Sequence, residues 1–247
     1  MKYHHSLLGI VLASAFTTST HATTVIFATS PAIPAPDYVY GSNDTWDIQG
    51  SSITVGDGST NGGRLFIGSP ASGILNLTST TGTGHTLFLN GTNSADPITL
   101  RLGTSAGSLT GTINFGGGVA VTMGGRTMRY TGGANALNIT AGSLNYTTLG
   151  FKFQEENEGG SLNTTIGASG ALIVPGTITN VADYMAWAVS TNTGLESPDF
   201  TLAASSGLTL NFANGGGNTT ITAVPEPSAA LLGGLGVLGL LRRRRVA

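Results

Sequence analysis

The sequence has no cysteine, and only 9% of its 247 residues are charged. Without cysteine the fold cannot depend on disulfide bonds, and a thiol-linked lipid anchor is excluded. Histidine and lysine are scarce as well, because after residue 22 the sequence has one of each, His85 and Lys152. A cysteine–histidine nucleophile pair and a zinc site of several histidines are therefore excluded, and we expect neither a metal ion nor a cofactor.

Positive charge is also sparse between residues 23 and 223, where five basic residues stand against eleven acidic ones. Nucleic-acid binding depends on a basic surface, so we expect no nucleic-acid partner. His85 lies in GTGHTLFLN, at the start of an alternating run. We interpret it as a turn or surface residue rather than as a catalytic base.

Carboxylates form two groups. Asp44 and Asp47 flank a tryptophan in NDTWD, and FKFQEENEGG holds three glutamates, Glu155, Glu156 and Glu158. Cleavage of a polysaccharide needs two or three acids on one face. We expect the aspartates to make turns and the glutamates to lie in a solvated loop, so the sequence predicts a protein that is not an enzyme.

The N-terminus, MKYHHSLLGIVLASAFTTSTHATT, has the layout of a secretory signal peptide. A short segment with Lys2 precedes an apolar run from Leu7 to Phe16, and small or polar residues follow up to Ala22. We predict a signal peptide over residues 1–22, cleaved after Ala22. The rest of the chain is expected to be exported.

An uncharged apolar segment, Ser228–Leu241, lies near the C-terminus. As a helix it would span about 21 Å, less than the ~30 Å hydrocarbon core of a bilayer, and its glycines weaken it further. Four arginines follow directly and are expected to stay on the cytoplasmic side: Arg242, Arg243, Arg244 and Arg245. We expect a short apolar helix that inserts transiently into the inner membrane.

The tail as a whole resembles the PEP-CTERM sorting signal of exported proteins from Gram-negative bacteria that make exopolysaccharide. The resemblance rests on the triplet Pro225, Glu226, Pro227, the apolar segment and the arginines, in that order. It implies recognition of the triplet by an exosortase-type membrane protease, removal of the tail, and transfer to the cell envelope, outer surface or extracellular matrix. A plain C-terminal membrane anchor is the alternative.

Between the two ends, alternating apolar and polar phrases recur, among them GRLFIGS from Gly63, GILNLTS from Gly73 and GHTLFLN from Gly84. They predict short strands with one buried face. Their spacing near ten residues fits a β-sandwich or a β-solenoid. The recurrence of Leu and Ile at equivalent positions favours an all-β, Gly/Thr/Asn-rich, parallel β-helix-like solenoid in which like residues stack from coil to coil.

The phrases also resemble, in composition, the autotransporter-associated β-strand repeat passengers. One segment departs from the alternation: VADYMAWAVS, residues 181–190, is read as a helix or a wide strand that closes one end of the core. The sequence thus divides into a signal peptide (1–22), a Pro-rich leader into the fold (23–50), a β-rich repeat domain (51–223) and a sorting signal (224–247).

The predicted function is that of a non-enzymatic envelope or matrix protein. Its Thr/Asn-rich, weakly charged surface is expected to contact exopolysaccharide, as in a biofilm, or other copies of the same chain. A carbohydrate-active β-helix that binds or cleaves polysaccharide is the alternative.

Overall fold

A computed structural model describes residues 24–28, 38–40, 43–55, 64–68, 72–89, 99–103, 109–123, 127–130, 133–146, 152–155, 160–191 and 199–226. Within these residues the chain is mostly β, with seventeen strands and one α-helix. The predicted signal peptide, the apolar segment and the arginine cluster lie outside the described residues.

The strands in chain order are β1 (Thr24–Phe27), β2 (Tyr38–Tyr40), β3 (Asn43–Ile48), β4 (Ser52–Val55), β5 (Arg64–Ile67), β6 (Gly73–Thr78), β7 (Thr86–Leu89), β8 (Thr99–Leu102), β9 (Gly111–Phe115), β10 (Ala120–Met123), β11 (Thr127–Tyr130), β12 (Ala134–Asn145), β13 (Lys152–Glu155), β14 (Ser161–Pro175), β15 (Asp199–Ala204), β16 (Leu208–Gly215) and β17 (Asn218–Pro225). The helix α1 (Val181–Thr191) lies between β14 and β15. Because β1, β2 and β3 fall within the predicted leader, strand pairing begins at Thr24.

Two strands are long, with 12 residues in β12 and 15 in β14. Each joins two of the alternating phrases, so the prediction of short strands throughout is wrong for them. The two halves of β12 are separated by an irregularity between Ile139 and Ala141, and Gly142 follows with a φ of 90°. A glycine in this conformation redirects the strand without interrupting its pairing.

The parallel strands form three ladders, which the chain visits in a constant order from β2 to β14. The first ladder contains β1, β3, β6, β9, the N-terminal halves of β12 and β14, and β15. The second contains β4, β7, β10 and the C-terminal halves of β12 and β14. The third contains β2, β5, β8, β11 and β13. Since β12 and β14 are shared, the first two ladders belong to one twelve-stranded sheet, and the third is a five-stranded sheet.

Consecutive phrases of the sequence therefore lie in different ladders. The phrases from Gly63, Gly73 and Gly84 form β5, β6 and β7, which belong to the third, first and second ladders. Neighbours within a ladder are farther apart in sequence: Asn114 bonds to Asn76 over 38 residues, and Asn138 bonds to Asn114 over 24. These unequal connections explain why the sequence has no strict period.

Like residues do stack along the ladders. In the first ladder Leu75 pairs with Ile113, which pairs with Leu137. In the second ladder Val121 lies between Leu87 and Leu144, and the side chains of both rows are buried. The expected stacking of Leu and Ile is confirmed, and Val joins it, but the stacked residues come from the strands of one ladder and not from consecutive phrases.

The helix α1 packs against β13 and β15 and closes the core at that end. The side chain of Asn180 caps the helix by accepting a hydrogen bond from the Asp183 N–H at 3.0 Å. Tyr184 is buried, and the ring centroids of Trp187 and Phe153 lie 5.8 Å apart. The prediction that this segment closes one end of the core is confirmed, and the segment is a helix.

An antiparallel hairpin of β16 and β17 completes the larger sheet. On its other side β17 pairs with the end of β14, also antiparallel. The two strands are joined by Gly216 and Gly217, whose φ values of 61° and 81° suit a two-residue hairpin turn. The hairpin brings the chain to the sorting signal.

Candidate functional site

The predicted sorting triplet begins where the last strand ends. Pro225 is the final residue of β17 and pairs with Leu208 of β16. The Glu226 N–H donates to the Gly207 carbonyl at 3.3 Å, and both Pro225 and Glu226 are exposed. Pro227, the arginine cluster and the signal-cleavage site lie outside the described residues. The triplet therefore starts as part of the folded sheet and not as a separate tail.

Hydrogen-bonded and non-hydrogen-bonded pairs alternate along an antiparallel hairpin. Because the Glu226 N–H bonds to the chain just before β16, Pro225 occupies a non-hydrogen-bonded position and Val224, opposite Thr209, a hydrogen-bonded one. The N–H that proline lacks would point to the opposite edge of β17. Pro225 thus ends the strand without breaking its pairing with β16.

The surroundings of β17 change after Ala223. The segment 218–222 has a strand on each side, β14 and β16. The pair Thr222–Ala171 is a non-hydrogen-bonded one, so the backbone of Ala223 still faces Gly170 of β14. Within the described residues, Val224 and Pro225 pair with β16 alone. Ala223 still buries its side chain, whereas Val224 is 39% exposed. The strand passes here from the sheet interior to an accessible end.

The two aspartates lie in β3, so the expectation that they make turns is wrong. Residues three apart in a strand point to opposite faces, and both Asp44 and Asp47 are buried. Asp47 accepts hydrogen bonds from the Thr80 N–H at 2.8 Å, from the Thr80 hydroxyl at 2.6 Å and from the Gln49 amide at 2.8 Å. Burial raises the pKa of Asp47, but these hydrogen bonds outweigh burial, and the pKa lies below its ordinary value. Asp47 therefore fixes the turn after β6 and does not converge with Asp44.

His85 joins two turns. Its Nδ1 lies 2.9 Å from the Gly50 carbonyl oxygen and must donate to it, and its Nε2 lies 3.1 Å from the Thr81 hydroxyl. This geometry agrees with the interpretation of His85 as a turn residue. Among the residues that the structure describes, no three His, Cys, Asp or Glu side chains form a group that could hold a metal ion. Of the three glutamates only Glu155 is described, at the end of β13.

The segment GTSAG, residues 103–107, has the G-x-S-x-G spacing of a nucleophile elbow. Such an elbow leads from a strand into a helix. Here β8 ends at Leu102 and β9 begins at Gly111, and residues 104–108 lie outside the described part of the chain. The spacing alone carries no catalytic assignment.

A row of asparagines lies along the outer face of the first ladder. The Asn76 amide donates to the Asn43 side chain at 2.7 Å, Asn114 donates to Asn76 at 2.8 Å, and Asn138 donates to Asn114 at 2.9 Å. The four residues come from β3, β6, β9 and β12. The amides bond to one another while remaining at the surface, so this face is polar and uncharged.

Comparison with known proteins identifies the C-terminal site. The family model of the PEP-CTERM protein-sorting motif matches residues 223–245. No curated protein and no solved structure matches the chain. The chain thus carries a PEP-CTERM sorting motif, as its sequence predicted, and the motif implies export to the cell envelope or surface and processing by an exosortase. No helix within the described segments is long and apolar enough to cross a bilayer.

Sequence reasoning did not identify β16 as the neighbour of the triplet. The signal is present, because the alternating runs GLTLNFA and TTITAV are joined by NGGGN. Asn and Gly between two alternating runs predict a hairpin. Pairing outward from that turn places Leu208 opposite Pro225.

Proposed function

We propose that this is a non-enzymatic protein of the cell envelope or extracellular matrix of a Gram-negative bacterium, delivered there when an exosortase removes its tail. One observation carries the proposal: the sorting triplet begins just beyond the last buried residues of the sheet. Ile221 and Ala223 are in the core, and the triplet begins two residues beyond Ala223. A cut at or after the triplet would leave every buried strand in the released protein.

The proposal includes a β-solenoid as the architecture of the repeat domain. It is supported by three parallel ladders visited in constant order and by the apolar rows along them. Helix α1 and the β16–β17 hairpin at one end resemble the capping elements that solenoids require. A sandwich would consist mainly of antiparallel neighbours. Small-angle scattering of the protein is the test, since a solenoid predicts an elongated particle.

The matrix role rests on the outer face of the first ladder. Its row of asparagine amides is uncharged and lies on regular strands, a surface suited to hydrogen bonding with sugar hydroxyls or with a second copy. The carbohydrate-cleaving alternative has less support, because Asp44 and Asp47 point to opposite faces. The expected result is retention of the protein on the host's exopolysaccharide without the release of new reducing ends. Release of reducing ends would favour the alternative.

Intact-mass spectrometry of the protein from its native host tests the sorting step. The wild type should end near the triplet in the cell-surface or released fraction. Glu226→Ala should retain Arg242–Arg245 and stay with the inner membrane. Asp199→Ala, which removes an exposed carboxylate outside the motif, is the matched control and should be processed normally. Normal processing of Glu226→Ala would contradict the proposal.

A further inference from the structure

We propose that the exosortase docks on the folded hairpin, taking Ala223–Pro225 as a strand that remains paired with β16. This inference rests on the proposed function and specifies how its partner is recognised. The docking surface is the exposed end of the hairpin, formed by the side chains of Thr209, Val224 and Pro225.

The first argument is the overlap of the motif with the hairpin. The match to the sorting motif begins at residue 223, and Ala223, Val224 and Pro225 pair with β16. The motif therefore starts inside a strand of the folded sheet. An enzyme that reads the motif meets an extended strand that the fold has already ordered, so it does not have to order the segment itself.

The second argument is the chemistry of that end. Val224 directs its backbone groups to β16 and Ala223 directs its own toward Gly170 of β14, so the C=O of Pro225 is the backbone group of the segment that points to the free side. Pro225 has no N–H to donate there, and prolines on an edge oppose indiscriminate pairing with other chains. The end of the hairpin thus suits a partner that contacts the exposed side chains of Thr209, Val224 and Pro225.

The third argument is distance. Glu226 is bonded to Gly207, and the predicted apolar segment begins at Ser228. Two residues span at most about 7 Å. An enzyme in the membrane that reads Pro225–Pro227 must therefore touch the hairpin, because no linker separates the triplet from the fold.

An insertion tests the docking. The full chain, with its native processing system, is compared with a variant carrying Gly-Ser-Gly-Ser between Val224 and Pro225, which keeps the triplet and tail but moves them off the hairpin. We expect processing at about one tenth of the wild-type rate or lower, because the triplet is no longer held beside the surface of the hairpin. The same insertion between Gly216 and Gly217, at the open turn of the hairpin, is the control and should be processed at the wild-type rate. An unchanged rate in the first variant would overturn the inference.

A disulfide clamp separates docking on the paired strand from docking after the strand frays. Thr209 and Val224 form a hydrogen-bonded pair, whose Cα atoms lie about 5.5 Å apart, within disulfide range. Thr209→Cys with Val224→Cys introduces the only thiols of the chain, and the single variants are controls. We expect the oxidised and reduced double variant to be processed at rates within about twofold of each other. Processing that requires reduction would show that β17 must leave β16 first, and the inference would be wrong.

The two proposals fail differently. If Glu226→Ala is processed normally, the proposed function and this inference fall together. If Glu226→Ala blocks processing but the insertion between Val224 and Pro225 does not slow it, sorting by the motif stands and docking on the hairpin is refuted.

Discussion

The junction of the two halves of β12 should be the position least tolerant of a methyl group. Gly142 has a φ of 90°, and a Cβ built there would overlap the Val119 carbonyl oxygen and lie 2.8 Å from the Val119 nitrogen. That carbonyl also accepts the hydrogen bond of the Ser143 N–H at 3.0 Å. Gly142→Ala therefore combines backbone strain with displacement of the neighbouring backbone at Val119.

Two other glycines separate the cost of backbone strain from the cost of steric overlap, because an alanine at each would incur one of the two. Gly176 has a φ of 86° with nothing near its Cβ position, whereas Gly170 has no left-handed φ but would overlap the Ile139 carbonyl oxygen. Strain alone costs about 1–2 kcal/mol, and forcing an atom into a packed site costs about 1–3 kcal/mol. Gly142→Ala should then lower the free energy of unfolding by about 2–5 kcal/mol, Gly176→Ala by about 1–2 kcal/mol and Gly170→Ala by about 1–3 kcal/mol.

Thermal unfolding of the full-length variants measures these differences. For a chain of this size each kcal/mol lowers the Tm by about 2–4 °C, so Gly142→Ala should unfold well below Gly176→Ala. Equal Tm values for these two variants would refute the reasoning, because they would mean that the close approach of Gly142 to Val119 contributes nothing.

Three further outcomes are expected in denaturation experiments on the full chain. Asn114→Ala removes two hydrogen bonds of the asparagine row and should lower the free energy of unfolding by about 1–2 kcal/mol. The exposed control Asn211→Ala should lower it by less than about 0.5 kcal/mol. Equal losses in the two variants would contradict a structural role for the row. Asp47 has a lowered pKa, so its contribution is present above the ordinary Asp pKa and is lost as the pH falls. At pH 7 the Asp47→Asn variant should therefore be less stable than the wild type, because the bonds of the carboxylate to Thr80 are lost, and its stability should fall less on acidification. A fall in stability with decreasing pH as steep as that of the wild type would contradict this role of Asp47. Burial raises the pKa of Tyr184 to about 12, against about 10 in the unfolded chain. Its contribution to folding stability is therefore full below pH 10, and about 2–3 kcal/mol of it is lost between pH 10 and 12. Tyr184→Phe should flatten that alkaline decline, and an unchanged slope would exclude this tyrosine as its source.

Alternation predicted strands such as β5, β6 and β7, since it records which face of each strand is buried. It did not predict which strands are neighbours. Pairing partners such as Asn76 and Asn114 are separated by 38 residues, and no local pattern encodes a contact over such a distance when connection lengths vary. Stacking also cannot be read from consecutive phrases, because consecutive phrases enter different ladders.

Buried polar residues were the second failure of prediction. Asn135 occupies an inward position and is fully buried, where its side chain accepts the Gly111 N–H at 2.9 Å and donates to the Gly133 carbonyl at 3.3 Å. Asp47 is held in the same way by a turn 33 residues away. Each of these residues accepts a hydrogen bond from a backbone N–H that is distant in the sequence, Gly111 or Thr80, so their roles depend on tertiary neighbours that a sequence pattern does not contain. The sorting motif, by contrast, is a linear signal and was predicted from its own residues.

The sorting signal and the fold share residues, and this overlap restricts where the tail can be cut. The sequence predicts that the repeat domain ends at residue 223 and the sorting signal begins at residue 224. In the structure, however, Val224 and Pro225 are strand residues paired with Thr209 and Leu208. A cut before Val224 would leave the start of β16 with unpaired backbone groups, an edge that invites aggregation. A cut after Glu226 keeps every pair of the hairpin. We therefore expect the mature C-terminus at or beyond Glu226, and a C-terminal residue at or before Ala223 in the intact mass would show that processing does not respect the fold.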